Sequence, residues 1–229
     1  MKRQDLPYCD ELGNTNSGFT SISSSHGGGP RRTMLIAHGV LASLAFVILF
    51  PAGAIAIRLA SFPGVVWLHA AFQVFAYIVY IAAFGLGVYL ATEMDLLDNY
   101  HPIIGIVVLI AIFFQPILGF MHHLMFKKYQ RRTVWSYGHI WLGRVAVTLG
   151  IINGGLGLKL ADGMGMSSKS GIIAYGVIAA VMWLAWVVAS VIGERRKAAA
   201  KGAPPKYTDA RHGSDGSEMA PVNGHYAPK

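Results

Sequence analysis

The sequence is short of charge and almost without cysteine. Only 13% of its 229 residues are charged, while 54% are hydrophobic. A soluble domain of this size carries about twice that charged fraction. The single cysteine, Cys9, excludes an intrachain disulfide and any metal site built on paired thiolates. The N-terminal stretch MKRQDLPYCDELGNTNSG lacks the apolar core of a signal peptide, so the first apolar span is expected to serve as the insertion signal, unless the chain is a piece of a longer product. Midway through the apolar runs there are no acids; the side-chain amides there are Gln73, Gln115 and Asn153.

What the chain does have is apolar runs of about 20 residues or more, long enough to cross a bilayer as helices. The expected fold class is all-α integral membrane, with five spans at roughly 34–57, 65–92, 102–126, 134–160 and 172–192. Residues 1–33 read as a disordered polar arm, 34–193 as the membrane domain and 194–229 as a disordered tail. Pro51 and Gly53 are expected to bend the first span and Pro116 to kink the third. Asp98 or Asn99 fits the N-cap of the third span, with Pro102 in its first turn. Gly150 and Gly154 have the spacing that lets helices approach closely.

The net charge of +8 is localised and sets orientation rather than nucleic-acid binding. Five spans put the termini on opposite sides. The C-terminal side, Y, collects Arg58, Lys127, Lys128, Arg131, Arg132, Arg195, Arg196, Lys197 and Lys201. The N-terminal side, X, holds the acids Glu93, Asp95, Asp98 and Asp162 with fewer cations, Arg31 and Arg32 among them. The excess makes Y cytosolic and the N-terminus non-cytosolic.

Of nine histidines, His26, His212 and His225 lie in polar tails and read as solvated. Four others recur near span starts. Antiparallel helices place His38 with His101 towards side X, and His69 with His139 towards side Y. One isolated intramembrane histidine is as often an interhelical hydrogen bond as a functional group; four in two pairs favour function. Two facing imidazoles supply both axial ligands of a haem iron, which suits electron transfer. Zinc is the poorer reading, because no third and fourth ligand stands near either pair. Without a CxxCH motif, any haem is held non-covalently. A haem-free protein using buried histidines as a proton relay is the alternative, but it would need polar groups midway through the spans.

His122 and His123 end the third span and compete with His69 as partners of His139, line a cytosolic substrate site, or lie in the interface with Lys127; on a helix they cannot both face the bundle. Arg144, inside an apolar span, needs an anionic partner, either a haem propionate or backbone carbonyls. Gln73, Tyr77, Tyr80, Trp135 and Trp141 are candidate pocket residues, and Phe72, Phe75 and Phe113 candidate bridges between the two haems if they face inward.

The stretches LIAHG, WLHAAFQ, HPIIG and GHIWLGR, one per span, make residues 34–193 resemble the cytochrome b561 superfamily, nearest its ferric-chelate-reductase-like branch that follows DOMON domains. The resemblance implies a five-helix bundle with a four-helix di-haem core and two haems b, the non-cytosolic one on His38 and His101 and the cytosolic one on His69 and His139. It implies an oxidoreductase or electron carrier taking electrons from a cytosolic donor such as ascorbate. The acceptor it implies is ferric iron, monodehydroascorbate or an extracellular redox partner. Lipid surrounds the core, and a homodimer is compatible with it. The chain departs from the pattern in having five spans, where many members have six, and no DOMON domain.

Overall fold

A computed structural model describes residues 29–202. The readings for His26, His212 and His225, and for most of the arm and tail, fall outside these residues. Five long helices account for nearly all of it: α1 (Gly29–Leu59), α2 (Val65–Glu93), α3 (Tyr100–Tyr129), α4 (Val134–Gly163) and α5 (Lys169–Gly202). No strand occurs among the described residues. Each helix is apolar enough to cross a membrane, and α1 to α4 are 29 to 31 residues long. At 1.5 Å per residue they reach about 45 Å, so their ends project past a hydrocarbon core of about 30 Å. Their outer faces are made of large apolar side chains such as Trp67, Ile78, Phe120, Ile173 and Val181, exposed as lipid-facing residues are.

Two boundaries differ from the sequence reading. α1 starts at Gly29 rather than inside residue 34, because Pro30 sits in the first turn, where its missing N–H costs nothing. α5 runs on to Gly202 rather than ending near 192, because Ala198, Ala199 and Ala200 are strong helix formers that need no membrane to stay helical. The third helix begins as expected: the Asn99 side chain accepts from the His101 N–H at 3.1 Å. Gly64 closes the turn before α2 at φ +87, a conformation that favours glycine.

α1 is not α-helical throughout. Leu44–Leu49 form a π-helical stretch, in which the Phe50 N–H bonds to the carbonyl of Ala45, five residues back. It ends next to Pro51, whose missing N–H breaks the ordinary ladder at Val47. The wide turn directs Phe46 into the core, with Phe50, Ala76, Tyr80, Val108 and Ala146 around it. α3 and α4 form the most extensive helix pair, the first half of α1 packs on α2, and its second half packs on α5. The spacing of Gly150 and Gly154 does permit close approach, but to aromatic rings: Phe46 of α1 fills the space at Gly150 and Tyr175 of α5 that at Gly154.

Candidate functional site

Near side X, α1 brings His38 and α3 brings His101 to face each other with ring centres 5.8 Å apart and planes at 79°. His38 Nδ1 lies 2.8 Å from the Ala83 carbonyl of α2. His101 Nδ1 lies 3.0 Å from the Asn153 carbonyl of α4 and 3.2 Å from the Asn153 side-chain oxygen. A carbonyl only accepts, so in each ring Nδ1 carries the proton and Nε2 keeps its lone pair. That is the outer support commonly found behind metal-ligating histidines.

The pair also has the right spacing and room. Two metal–nitrogen bonds of about 2 Å, with each ring centre about 1 Å further on, put imidazole centres about 6 Å apart. A cavity of about 570 Å³ reaches both rings, within the usual range of cofactor sites of about 300–1,000 Å³. A narrower one of about 80 Å³, lined by Phe46, Tyr80 and Phe84, adjoins the same two histidines. By donor set, spacing and space, His38 and His101 fit a haem iron.

Near side Y, His69 of α2 reaches the Gly53 carbonyl of α1 at 3.0 Å, again through Nδ1. His139 of α4 reaches the Gln115 carbonyl of α3 at 3.2 Å. The Gln115 amide is best turned with its oxygen on the Gly143 N–H (2.7 Å), which brings its nitrogen to 2.9 Å from His139 Nδ1. His139 is thus the least strictly oriented of the four. The ring stacked on it is His122, at 6.2 Å and 16°, whose own Nδ1 is 2.6 Å from the hydroxyl of fully buried Ser136. His123 turns the other way, edge-on to Trp67 at 5.5 Å. The two neighbours do face different directions, as the helical twist requires. Among the described residues no three His, Cys, Asp or Glu side chains stand close enough to hold a metal ion by themselves.

Arg144 has a partner that the sequence reading missed. Glu194, the first residue of the stretch read there as a tail, gathers three arginines: Arg58 at 2.7 Å, Arg132 at 2.8 Å and Arg144 at 3.8 Å. Arg144 is the loosest of these and also lies 5.0 Å over the Trp141 ring. Three guanidiniums on one carboxylate leave an excess of positive charge beside the side-Y histidines. The expected bridges are also revised. Phe75 and Phe113 are 55% and 54% exposed on the lipid face, because their positions fall on the outer stripe of α2 and α3. A chain of inward aromatics is formed instead by Phe50, Phe46, Tyr80 and Phe84, in successive ring contact at 5.2, 4.7 and 6.3 Å. Tyr80 donates to the Gly105 carbonyl at 3.1 Å and Gln73 to that of Phe50 at 3.2 Å. Trp135 and Trp141 are 41% and 58% exposed.

Comparison with known proteins adds the following. The family model for eukaryotic cytochrome b561 matches residues 37–162. A cytochrome b561 and DOMON domain-containing protein of Arabidopsis thaliana is 33% identical over 177 residues, which cover 76% of this chain and 42% of the relative. A cytochrome b561 domain-containing protein of the same plant is 29% identical over 169 residues, 65% of this chain and 62% of the relative. The chain therefore spans about half the length of these relatives. No solved structure matches.

Proposed function

The chain belongs to the eukaryotic cytochrome b561 family, and from that premise we propose that it passes electrons across a membrane by way of two haems b. One would be held by His38 with His101, the other by His69 with His139. The family supports a transmembrane electron-transfer role and haem b as cofactor. Bound haem would supply the one-electron Fe(III)/Fe(II) chemistry. The residues of the chain do the rest. Four main-chain carbonyls, of Ala83, Gly53, Asn153 and Gln115, face Nδ1 of the four rings. Phe46 and Tyr80 fill the centre of the bundle and exclude water from it. Arg58, Arg132 and Arg144 make the cytosolic end attractive to carboxylates, either a haem propionate or an anionic donor such as ascorbate. On side X the acceptor is ferric iron or a redox partner.

One observation carries this reading: His38 and His101 face each other beside a cavity of cofactor size, each with Nδ1 committed to a carbonyl. The test is a pyridine haemochrome count on the detergent-purified protein, with an ascorbate-reduced minus oxidised spectrum. Two haems b per chain, reduced by ascorbate, are expected. A folded protein expressed with ample haem that carries none would sink the proposal and favour the proton-relay reading.

A further inference from the structure

Three of the four histidines share a feature that hydrogen bonding alone does not describe. His38 bonds the carbonyl of Ala83, and four residues on stands Gly87. His101 bonds that of Asn153, and four residues on stands Gly157. His139 bonds that of Gln115, and four residues on stands Gly119. In a helix the carbonyl of one residue already accepts from the N–H four residues later. Side chains lean back towards the N-terminus, so the side chain at that later position covers the same carbonyl. A glycine there uncovers it, and the imidazole lies where a side chain would have been.

The distances are tight. A methyl at Gly87 would stand 2.6 Å from His38 Cε1 and 2.9 Å from its Nδ1. At Gly157 the corresponding distances to His101 are 2.7 and 3.0 Å, and at Gly119 to His139 they are 3.1 and 3.3 Å. On the same helices Gly85 and Gly155 have nothing within 4 Å of a methyl. His69 is the exception. It bonds the carbonyl of Gly53 itself, and the space at that glycine is taken by Gln73 and Phe72.

We propose that Gly87, Gly157 and Gly119 are positioning residues for the haem ligands, each serving as the seat that lets one imidazole reach a main-chain carbonyl and so present Nε2 to the iron. Gly87 and Gly157 serve the side-X haem from two different helices, α2 and α4. Gly119 serves the side-Y haem from α3. The inference rests on the two-haem reading, and its test separates the two. It also predicts a ranking, because the first two seats have no room for a methyl and the third has nearly enough.

The experiment counts haem by pyridine haemochrome and records low-temperature EPR of the oxidised protein for the wild type and for Gly87→Ala, Gly157→Ala, Gly119→Ala, Gly85→Ala and Gly155→Ala. A wild type without haem would defeat the two-haem reading itself. Given two haems in the wild type, Gly87→Ala and Gly157→Ala are expected to fall from two to one and to lose the same low-spin signal, the surviving haem showing that the bundle is folded. Gly119→Ala is expected to keep two haems with the other signal shifted, and Gly85→Ala and Gly155→Ala to match the wild type. Two unshifted signals in both Gly87→Ala and Gly157→Ala would overturn the proposal, as would loss of both haems from a monodisperse helical protein. If those two variants do not fold, Gly119→Ala decides: an unshifted spectrum rejects the seats and a shift confined to one signal supports them.

Discussion

His139 has two neighbours of its own kind, and the structure separates their roles. His122 stacks on it but bonds the Ser136 hydroxyl, whereas His69 commits its Nδ1 to a main-chain carbonyl on α1. His122 also comes from α3, the helix that already seats His139, while His69 comes from the opposite hairpin. His122→Ala is therefore expected to keep both haems and to lose about 1 kcal/mol of stability, as the buried Ser136 hydroxyl loses a partner. Haem count and a thermal melt in detergent check this; a drop to one haem would make His122 the side-Y ligand. The residue scale is also where the sequence was most legible. Four histidines at span starts imply pairs by antiparallel geometry alone, and Asn99 announces its cap. Arg144 was legible only as a cation in need of an anion. Glu194 lies 50 positions away on a helix that no pattern ties to α4. The seat glycines were hidden for a similar reason. Glycine is common in membrane helices, and what marks these three is a ring from another helix.

At the scale of elements, α4 acts as the packing surface for its neighbours. Its small positions take Phe46 of α1 at Gly150, Tyr175 of α5 at Gly154 and His101 of α3 at Gly157. Gly150→Val is expected to push the Phe46 ring out of the core and to destabilise the bundle by about 1–3 kcal/mol, read as a lower thermal midpoint. An unchanged midpoint would mean that the ring has room to move. α5 lies against α1 and α4 rather than among the four ligand helices, yet it joins the core at both ends. Tyr175 donates to the Ile151 carbonyl at 2.5 Å, and Glu194 draws in the arginines of α1, α4 and the turn before α4. The π-helical stretch of α1 was beyond sequence reading. Pro51 marks a break in the ladder, but whether the helix answers with a bend or a wide turn depends on what Phe46 packs against.

For the whole molecule, the charge asymmetry of the sequence predicts that the turn between α3 and α4 lies on the cytosolic side. A single-cysteine probe at Arg131, in a Cys9→Ser background, is expected to be shielded from an impermeant maleimide in intact cells. It should react once the plasma membrane alone is permeabilised. Labelling in intact cells would reverse the orientation and with it the assignment of donor and acceptor sides.

The exchange of histidines between hairpins bears on how the protein is made. His38 and His69 belong to α1 and α2, each resting on the other's helix; His101 and His139 belong to α3 and α4 in the same way. Each proposed pair takes one ring from each hairpin. During synthesis the first hairpin thus enters the bilayer with two half-sites; α3 brings the second ring of the side-X pair, and α4 brings that of the side-Y pair together with the Asn153 carbonyl that supports His101. With two haems held as proposed, capture of both would have to wait for the last ligand helix, and a cell short of haem would accumulate chains whose two halves have inserted but have nothing to staple them together.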